Sequence, residues 1–296
     1  MDRVLGDRRT VLALLGPALI VYTAVMLVPV LVSLGYTFFS GNAISGFTFT
    51  GLDNIKMLWQ DQAVRDALVF TLKYAVVITV GQVALGYGLS LLYVFVLRKA
   101  SALVRTLLFF PVVLPTVAVA LLFQNLFQIA PQNGLVNSAL NTIGVESIDW
   151  FGSSGMAFLV IVLMDLWRSA GFYGVLLYTG MVDVPEDLME AAKLDGASTW
   201  SLIRHLVFPL TLPVLLSSAI FSINGTLKVF DSIVALTNGG PGNETTPLTL
   251  YMFQTSFSYG QYGYGASIAL LLTILSLLFT VFIFRSQRRD ATEASS

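Results

Sequence analysis

Mainly apolar runs of about twenty residues or more recur near 11–35, 68–97, 104–128, 156–182, 206–235 and 266–284, each long enough as a helix to cross a bilayer. The pattern predicts an all-α polytopic membrane protein with six transmembrane helices. Polar and turn-forming residues separate the runs, for example Gly41-Asn42, Pro131-Gln132-Asn133-Gly134 and Gly239-Gly240-Pro241-Gly242. One membrane domain over 11–284 is expected, with a segment 1–10 before it and a tail 285–296 after it. Pro111 and Pro115, Gly171 and Gly174, and Pro209 and Pro213 mark places where these helices are expected to bend.

Composition agrees with a bilayer environment: of 296 residues, 56% are hydrophobic and 11% charged. A net charge of -1 leaves no basic face for nucleic acid. Cysteine is absent and His205 is the only histidine, which argues against disulfides, thiolate chemistry and a histidine-rich metal site. Neither a catalytic residue nor a metal site is expected. Arg8-Arg9 before an apolar run resembles a secretory signal in outline, but Val11 to about Gly35 exceeds a signal core and lacks a small-x-small cleavage site.

Lysine and arginine distribution sets an orientation. Arg3, Arg8, Arg9, Arg98, Lys99, Arg105, Lys193, Arg204, Arg285, Arg288 and Arg289 fall on one side, whereas Lys56 and Arg65 lie clearly in the opposite loops. By the positive-inside rule both termini and the loop 183–205 are cytoplasmic, and loops 36–66, 129–155 and 236–265 face outward. Trp59, Trp150, Tyr259, Tyr262 and Tyr264 near the outer borders suit an interfacial aromatic belt.

Ionisable residues inside predicted spans are costly in lipid and should face the bundle interior or a water-filled cavity. Asp165 and Arg168 fall in the fourth span, Lys228 and Asp231 in the fifth, each pair at i, i+3 with opposite sign. One reading is a pair of intrahelical ion pairs that only make the helices tolerable in lipid. The other is a polar path, joined by Trp167, Ser169, Phe172 and Tyr173 in the fourth span and Asn224, Thr226 and Phe230 in the fifth. Such a lining suits a sugar, whose hydroxyls bond to carboxylate, amide and guanidinium groups and whose C–H face lies on aromatic rings. Asn125 and Gln128, at the outer end of the third span, fit either that path or interhelical hydrogen bonds.

The loop 183–205 has its own local logic. Pro185 starts a helix, Glu186, Asp187 and Glu190 occupy its first turns, Gly196 supplies a left-handed end and Ser198 caps a second short helix. Ala191 and Ala192 leave a flat surface flanked by Leu188 and Leu194. Charge and spacing fit either an ordinary amphipathic loop helix or a docking knob.

The stretch Asp183-Val184-Pro185-Glu186-Asp187-Leu188-Met189-Glu190-Ala191-Ala192-Lys193-Leu194-Asp195-Gly196-Ala197, followed by Phe208-Pro209, resembles the EAA loop of binding-protein-dependent ABC importer permeases. The outer stretch Leu236-Thr237-Asn238-Gly239-Gly240-Pro241-Gly242-Asn243-Glu244-Thr245-Thr246-Pro247 resembles the corresponding loop of the first of two permeases in carbohydrate-type importers. Ile203 departs from the common aromatic, and Phe208-Pro209 replaces a Leu-Pro.

The resemblance implies a bacterial inner-membrane subunit that pairs with a second, homologous permease. Two cytoplasmic ATPase subunits lie below and an extracytoplasmic solute-binding protein or lipoprotein above. It implies that Glu186, Glu190, Ala191, Ala192, Asp195, Gly196, Ala197 and Trp200 carry the coupling to the ATPase, which itself binds ATP and Mg; no cofactor is expected in this chain. Counting from the two motifs, Asp165, Arg168, Ser169 and Phe172, and Thr226 and Val229, fall at substrate-contacting positions of the family. The sequence holds no G-x-x-x-x-G-K-[ST] phosphate loop. An ion-coupled secondary transporter using Asp165 or Asp231, or a scaffold with paired charges, are the alternatives. The sugar stays open among di- and oligosaccharides, a sugar alcohol and glycerol-3-phosphate.

Overall fold

In the computed structural model of the chain the described residues are 8–42, 44–129 and 132–293, with side chains described between 12 and 282. Most of the predicted segment 1–10, the end of the tail 285–296 and Pro131 of the predicted turn lie outside them. The chain divides into two compact units, one of residues up to 64 with 251–273, the other of 65–250 with residues from 274 onward.

In the first unit, helix α1 (Arg8–Tyr22) passes through a π-helical turn (Thr23–Leu27) into α2 (Val28–Tyr36). No residue of the apolar stretch Leu12–Tyr36 is buried within the chain, as expected of a helix solvated by lipid or a partner. Strands β1 (Phe39–Asn42) and β2 (Gly46–Phe49) then form an antiparallel hairpin, a small departure from the all-α expectation. Four-residue strands are too short for their alternation to stand out from a loop. Helix α3 (Asp53–Gln60) is tied to this hairpin by Asn54, whose Nδ2 donates to Thr37 O at 3.0 Å and Phe39 O at 2.8 Å.

The second unit holds the core. It contains most of α4 (Gln62–Leu91), then α5 (Ser101–Val113), α6 (Thr116–Leu126), α7 (Leu135–Thr142), α8 (Ser154–Val182), α9 (Glu186–Leu194), α10 (Thr199–Leu202), α11 (Phe208–Thr226) and α12 (Asp231–Leu236). Phe70, Tyr74 and Ile78 of α4, Phe123 of α6, Ile161 and Met164 of α8 and Ile233 of α12 pack into one buried cluster. Helix α13 (Leu248–Phe253) and α14 (Tyr262–Glu293) complete the order.

Five helices among the described residues are long and apolar enough to cross a membrane: Leu12–Tyr36, Gln62–Val113, Ser154–Val182, Thr199–Thr226 and Tyr262–Phe282. The predicted runs 68–97 and 104–128 differ in detail from what is observed. The first and part of the second lie in the continuous helical stretch Gln62–Val113, in which Arg98 takes φ +42°. The rest of the second run is α6, separated at Leu114, which is extended because Pro115 disfavours helical backbone before it.

The predicted span 206–235 is also interrupted. Helix α11 stops at Thr226, residues 227–230 form an irregular turn, and α12 restarts at Asp231. Gly225 weakens the end of the first helix, and Asp231 suits the first turn of the second. Gly171 and Gly174 do not interrupt α8, which runs as one helix from Ser154 to Val182. A Cβ at Gly171 would collide with the Leu108 carbonyl of α5, and a Cβ at Gly174 would crowd Leu89 of α4. These glycines serve close helix packing in an apolar medium.

Candidate functional site

The interruption after Thr226 opens a cavity of about 520 Å³. Helix α4 contributes Tyr74 and Gln82, α8 contributes Asp165, Arg168 and Tyr173, and α11 with the turn after it contributes Phe221, Ser222, Asn224, Thr226, Lys228, Val229, Phe230 and Asp231. The structure thus brings nine sequence-predicted residues together: Asp165, Arg168, Tyr173, Asn224, Thr226, Lys228, Val229, Phe230 and Asp231. Ser169 and Phe172 do not line it.

Asp165 is nearly enclosed, and its main partner is one the sequence did not suggest: Tyr74 Oη donates to Asp165 Oδ2 at 2.7 Å. The predicted ion pair with Arg168 is present but loose, with Nε 3.9 Å from Oδ1. Arg168 Nε has no hydrogen-bond partner, and its side chain keeps 31% of its surface exposed against 5% for Asp165. That Nε is itself buried, and it is the rest of the side chain that lines the cavity.

Lys228 and Asp231 do not form the second predicted pair. They flank the irregular turn instead of sharing a helix face, and both are exposed. Each keeps its charge available at the cavity wall. Val229 between them is held by its carbonyl, which accepts a hydrogen bond from Thr249.

Ser169 and Gln82 form the floor of a polar chain. Gln82 Nε2 donates to Ser169 Oγ at 2.9 Å, Ser222 Oγ donates to Gln82 Oε1 at 2.6 Å, and Ser169 Oγ donates to the Asp165 carbonyl. Phe172 meets Tyr173 edge-to-face and Phe221 at a tilt, supporting the wall from behind. Trp167 packs on Phe123. Asn224 lines the cavity, yet its amide is bonded to Ser276, Thr280 and the Ile220 carbonyl, so it works chiefly as a tether between α11 and α14.

Sequence reasoning passed over Tyr74, Gln82 and Ser222, ordinary side chains in apolar runs. It also passed over Lys73, an ionisable residue inside the predicted second span, whose Nζ sits 4.2 Å from the Phe158 ring centroid. Counting every polar side chain within each run, charged or not, would have found them.

The loop 183–205 folds as a helix, a turn and a helix. Glu186 and Asp187 lie in the first turn of α9 and Lys193 in its last, all in favourable dipole positions. Gly196, at φ +85°, closes α9: its N–H reaches Lys193 O at 3.0 Å and the Ala197 N–H reaches Ala192 O at 2.9 Å. Ser198 Oγ then accepts from Ser201 N to cap α10. Glu190, Ala191 and Asp195 are exposed, and Ala192 and Ala197 half-buried. Leu194 and Trp200 are 89% and 69% exposed, large apolar surfaces offered outside the apolar runs.

Just before α4, Asp61 gathers three donors: Tyr251 Oη at 2.7 Å, Tyr264 Oη at 2.6 Å and the Ala63 N–H at 2.8 Å. Burial pushes its carboxyl up, but these hydrogen bonds outweigh burial and hold it below the ordinary value. Burial and the neighbouring Asp61 together push the Tyr251 hydroxyl up.

Residues 82–289 match the family described as the binding-protein-dependent transport system inner membrane component. Among curated proteins, the chain is 31% identical over 95% of its length to the sulfoquinovosyl glycerol transport system permease protein SmoG of Agrobacterium fabrum, covering 91% of that protein. It is 29% identical over 92% of its length to the lactose transport system permease protein LacF of Rhizobium radiobacter, covering 92% of it. Among solved structures, a bacterial alginate ABC transporter in complex with an alginate pentasaccharide-bound periplasmic protein has a chain of the same fold. Its TM-score is 0.84 at 20% identity, over 94% of this chain and 93% of that one. A family match over most of the chain, with relatives that are permeases along nearly their whole length, identifies this chain as a permease subunit of the binding-protein-dependent transport system inner membrane component family.

Proposed function

We propose that this permease carries carbohydrates inward as one half of a permease pair powered by two ATPase subunits and fed by an extracytoplasmic solute-binding protein. The observation that carries the reading is the cavity after Thr226, where Arg168, Lys228 and Asp231 stand beside the rings of Phe221 and Phe230. Charged donors and acceptors next to aromatic faces match the hydroxyls and the C–H face of a sugar. The names of SmoG and LacF, a sulfosugar glycoside and a disaccharide system, support the same class.

In this reading the chain crosses the bacterial inner membrane six times with both termini cytoplasmic. The helical stretch from Gln62 reverses near Arg98, and α5 and α6 together make one crossing. Residues 186–200 seat in the ATPase, with Leu194 and Trp200 as apolar anchors and Glu190 at the rim. ATP and Mg are held by the ATPase subunits. Their ATP-driven closure draws the two permease loops together and favours the outward-facing state, in which the sugar passes from its binding protein to the cavity.

Two measurements test this. Tagged chain purified from its own membranes in mild detergent is expected to bring down a second permease and an ATPase. Vesicles containing that complex, loaded with ATP and supplied with the binding protein, are expected to accumulate at least one member of a radiolabelled panel of mono- to tetrasaccharides. Recovery of the chain alone, or accumulation driven by a proton or sodium gradient without ATP, would overturn the proposal.

A further inference from the structure

A second cavity, of about 500 Å³, lies at the other end of α12. Asp231 and Ser232 at the start of that helix line the first cavity, whereas Leu236 at its end and Thr237 line the second. At about 1.5 Å per residue, Asp231 and Leu236 are only ~7.5 Å apart along the axis. Helix α6 links the same two spaces, with Thr116 at the first and Gln124 and Asn125 at the second.

The chemistry of the second cavity is distinct. Gln124 Nε2 is spent on the carbonyls of Ala235 and Leu236, which fixes α6 to α12. Asn125 gives its Nδ2 to Leu121 O and keeps its carbonyl oxygen, and the exposed Gln128 amide adds both donors and an acceptor. Asp149 Oδ1 accepts from the Phe151 N–H at 3.2 Å. Its other oxygen lies over Gly152, where a Cβ would collide with it. Phe151 adds a ring. The lining contains no lysine or arginine, so nothing in it neutralises a phosphate or carboxylate ligand. Amides, one carboxylate and an aromatic ring are the groups that hold a neutral, hydroxyl-rich ring.

We infer that this second cavity is an outer subsite for a sugar unit, so that the transported molecule is an oligosaccharide with one unit in the first cavity and a following unit in the second. The inference rests on the carbohydrate reading above. The short reach of α12 makes the two spaces addressable by one extended molecule.

The test uses the assembled importer in liposomes, with radiolabelled mono-, di-, tri- and tetrasaccharides as probes. A Gln128→Ala, Asp149→Asn double variant is expected to lower uptake of the longest transported saccharides by about fivefold or more, while the shortest one changes by less than about twofold. Phe230→Ala, in the first cavity, is expected to lower uptake at every length. The thermal unfolding midpoint of the double variant and its ATPase stimulation by liganded binding protein are expected to match the unsubstituted importer. Equal loss at all lengths, or weakened stimulation, would assign these residues to docking of the binding protein and overturn the inference, as would unchanged uptake. Wild-type uptake confined to monosaccharides would overturn this inference alone, whereas uptake of no saccharide would overturn the carbohydrate reading with it.

Discussion

Ser222 Oγ donates to Gln82 Oε1 at 2.6 Å, while the other end of the same amide donates to Ser169, so a single glutamine joins α4, α8 and α11 beneath the cavity. Replacing Gln82 with leucine keeps the volume and removes both bonds, leaving Ser169 its bond to the Asp165 carbonyl and Ser222 its bond to Thr79. Interhelical bonds of this kind contribute about 1 kcal/mol each in a membrane, so Gln82→Leu should lower the denaturant midpoint of the purified permease measurably. An unchanged midpoint would show that the three helices are positioned by packing alone.

Asp165 and Arg168 should behave as an asymmetric pair. Arg168→Gln leaves Asp165 its strong bond from Tyr74, whereas Tyr74→Phe leaves the enclosed carboxylate with the Ser232 hydroxyl and a loose 3.9 Å contact to Arg168. Tyr74→Phe should therefore cost more stability, on the order of 2 kcal/mol, and Arg168→Gln should mainly reduce transport. Unfolding midpoints and uptake rates of the two variants, measured side by side, check the order.

Gly171 provides a steric test. Alanine there would drive a methyl into the Leu108 carbonyl, so α5 and α8 must separate, at a cost of about 1–3 kcal/mol. Gly155→Ala, on the same helix with nothing within 4 Å, serves as the control and should be neutral or slightly stabilising. Equal midpoints for the two variants would contradict the packing role.

The loop 183–205 separates folding from docking. Leu194 and Trp200 are exposed, so Leu194→Ala with Trp200→Ala should leave the melting temperature unchanged while the ATPase no longer co-purifies. Gly196→Pro should lose the ATPase too, because proline has no N–H for Lys193 O and cannot take a φ of +85°. Retained ATPase in both variants would place the contact elsewhere.

Asp61 predicts a pH dependence with a defined sign. Its carboxyl titrates below the ordinary 3.8 in the folded chain, so the stability it adds is fully present above that pH. That stability is lost as pH falls through the lower folded value. Asp61→Asn should flatten the acid limb of a stability profile recorded from pH 7 downward, with little change at neutral pH beyond a constant offset. An identical acid limb in both proteins would remove Asp61 as its source.

Much of the architecture was legible because lipid imposes a length on apolar runs. The edges of α8 and the start of α11 follow the hydropathy closely, and the loop 183–205 announces its helix, turn and cap through Pro185, Gly196 and Ser198. Breaks inside an apolar run were harder to read. Hydropathy is the same whether residues 227–230 are helical or not, and the pairing of Lys228 with Asp231 at i, i+3 assumed a helix that ends at Thr226. Asp165 was visible as a buried charge, but its partner Tyr74 lies 91 residues away, beyond any periodicity. Gly171 and Gly174 mark close approach to α5 and α4, which the sequence does not separate from a bend because glycine serves both.

The non-helical turn at 227–230 has a further consequence for adaptation. The helix before it is closed by Thr226, whose hydroxyl bonds back to Ser222 and Ile223, and the helix after it is anchored by Gln124. Within the turn Leu227 and Val229 are buried and Phe230 packs against the core, whereas Lys228 and the neighbouring Asp231 are exposed at the cavity wall. A broken helix thus sets two charges side by side on a fixed apolar footing, so exchanging Lys228 or Asp231 alters the cavity's charge while the footing beneath them stays in place.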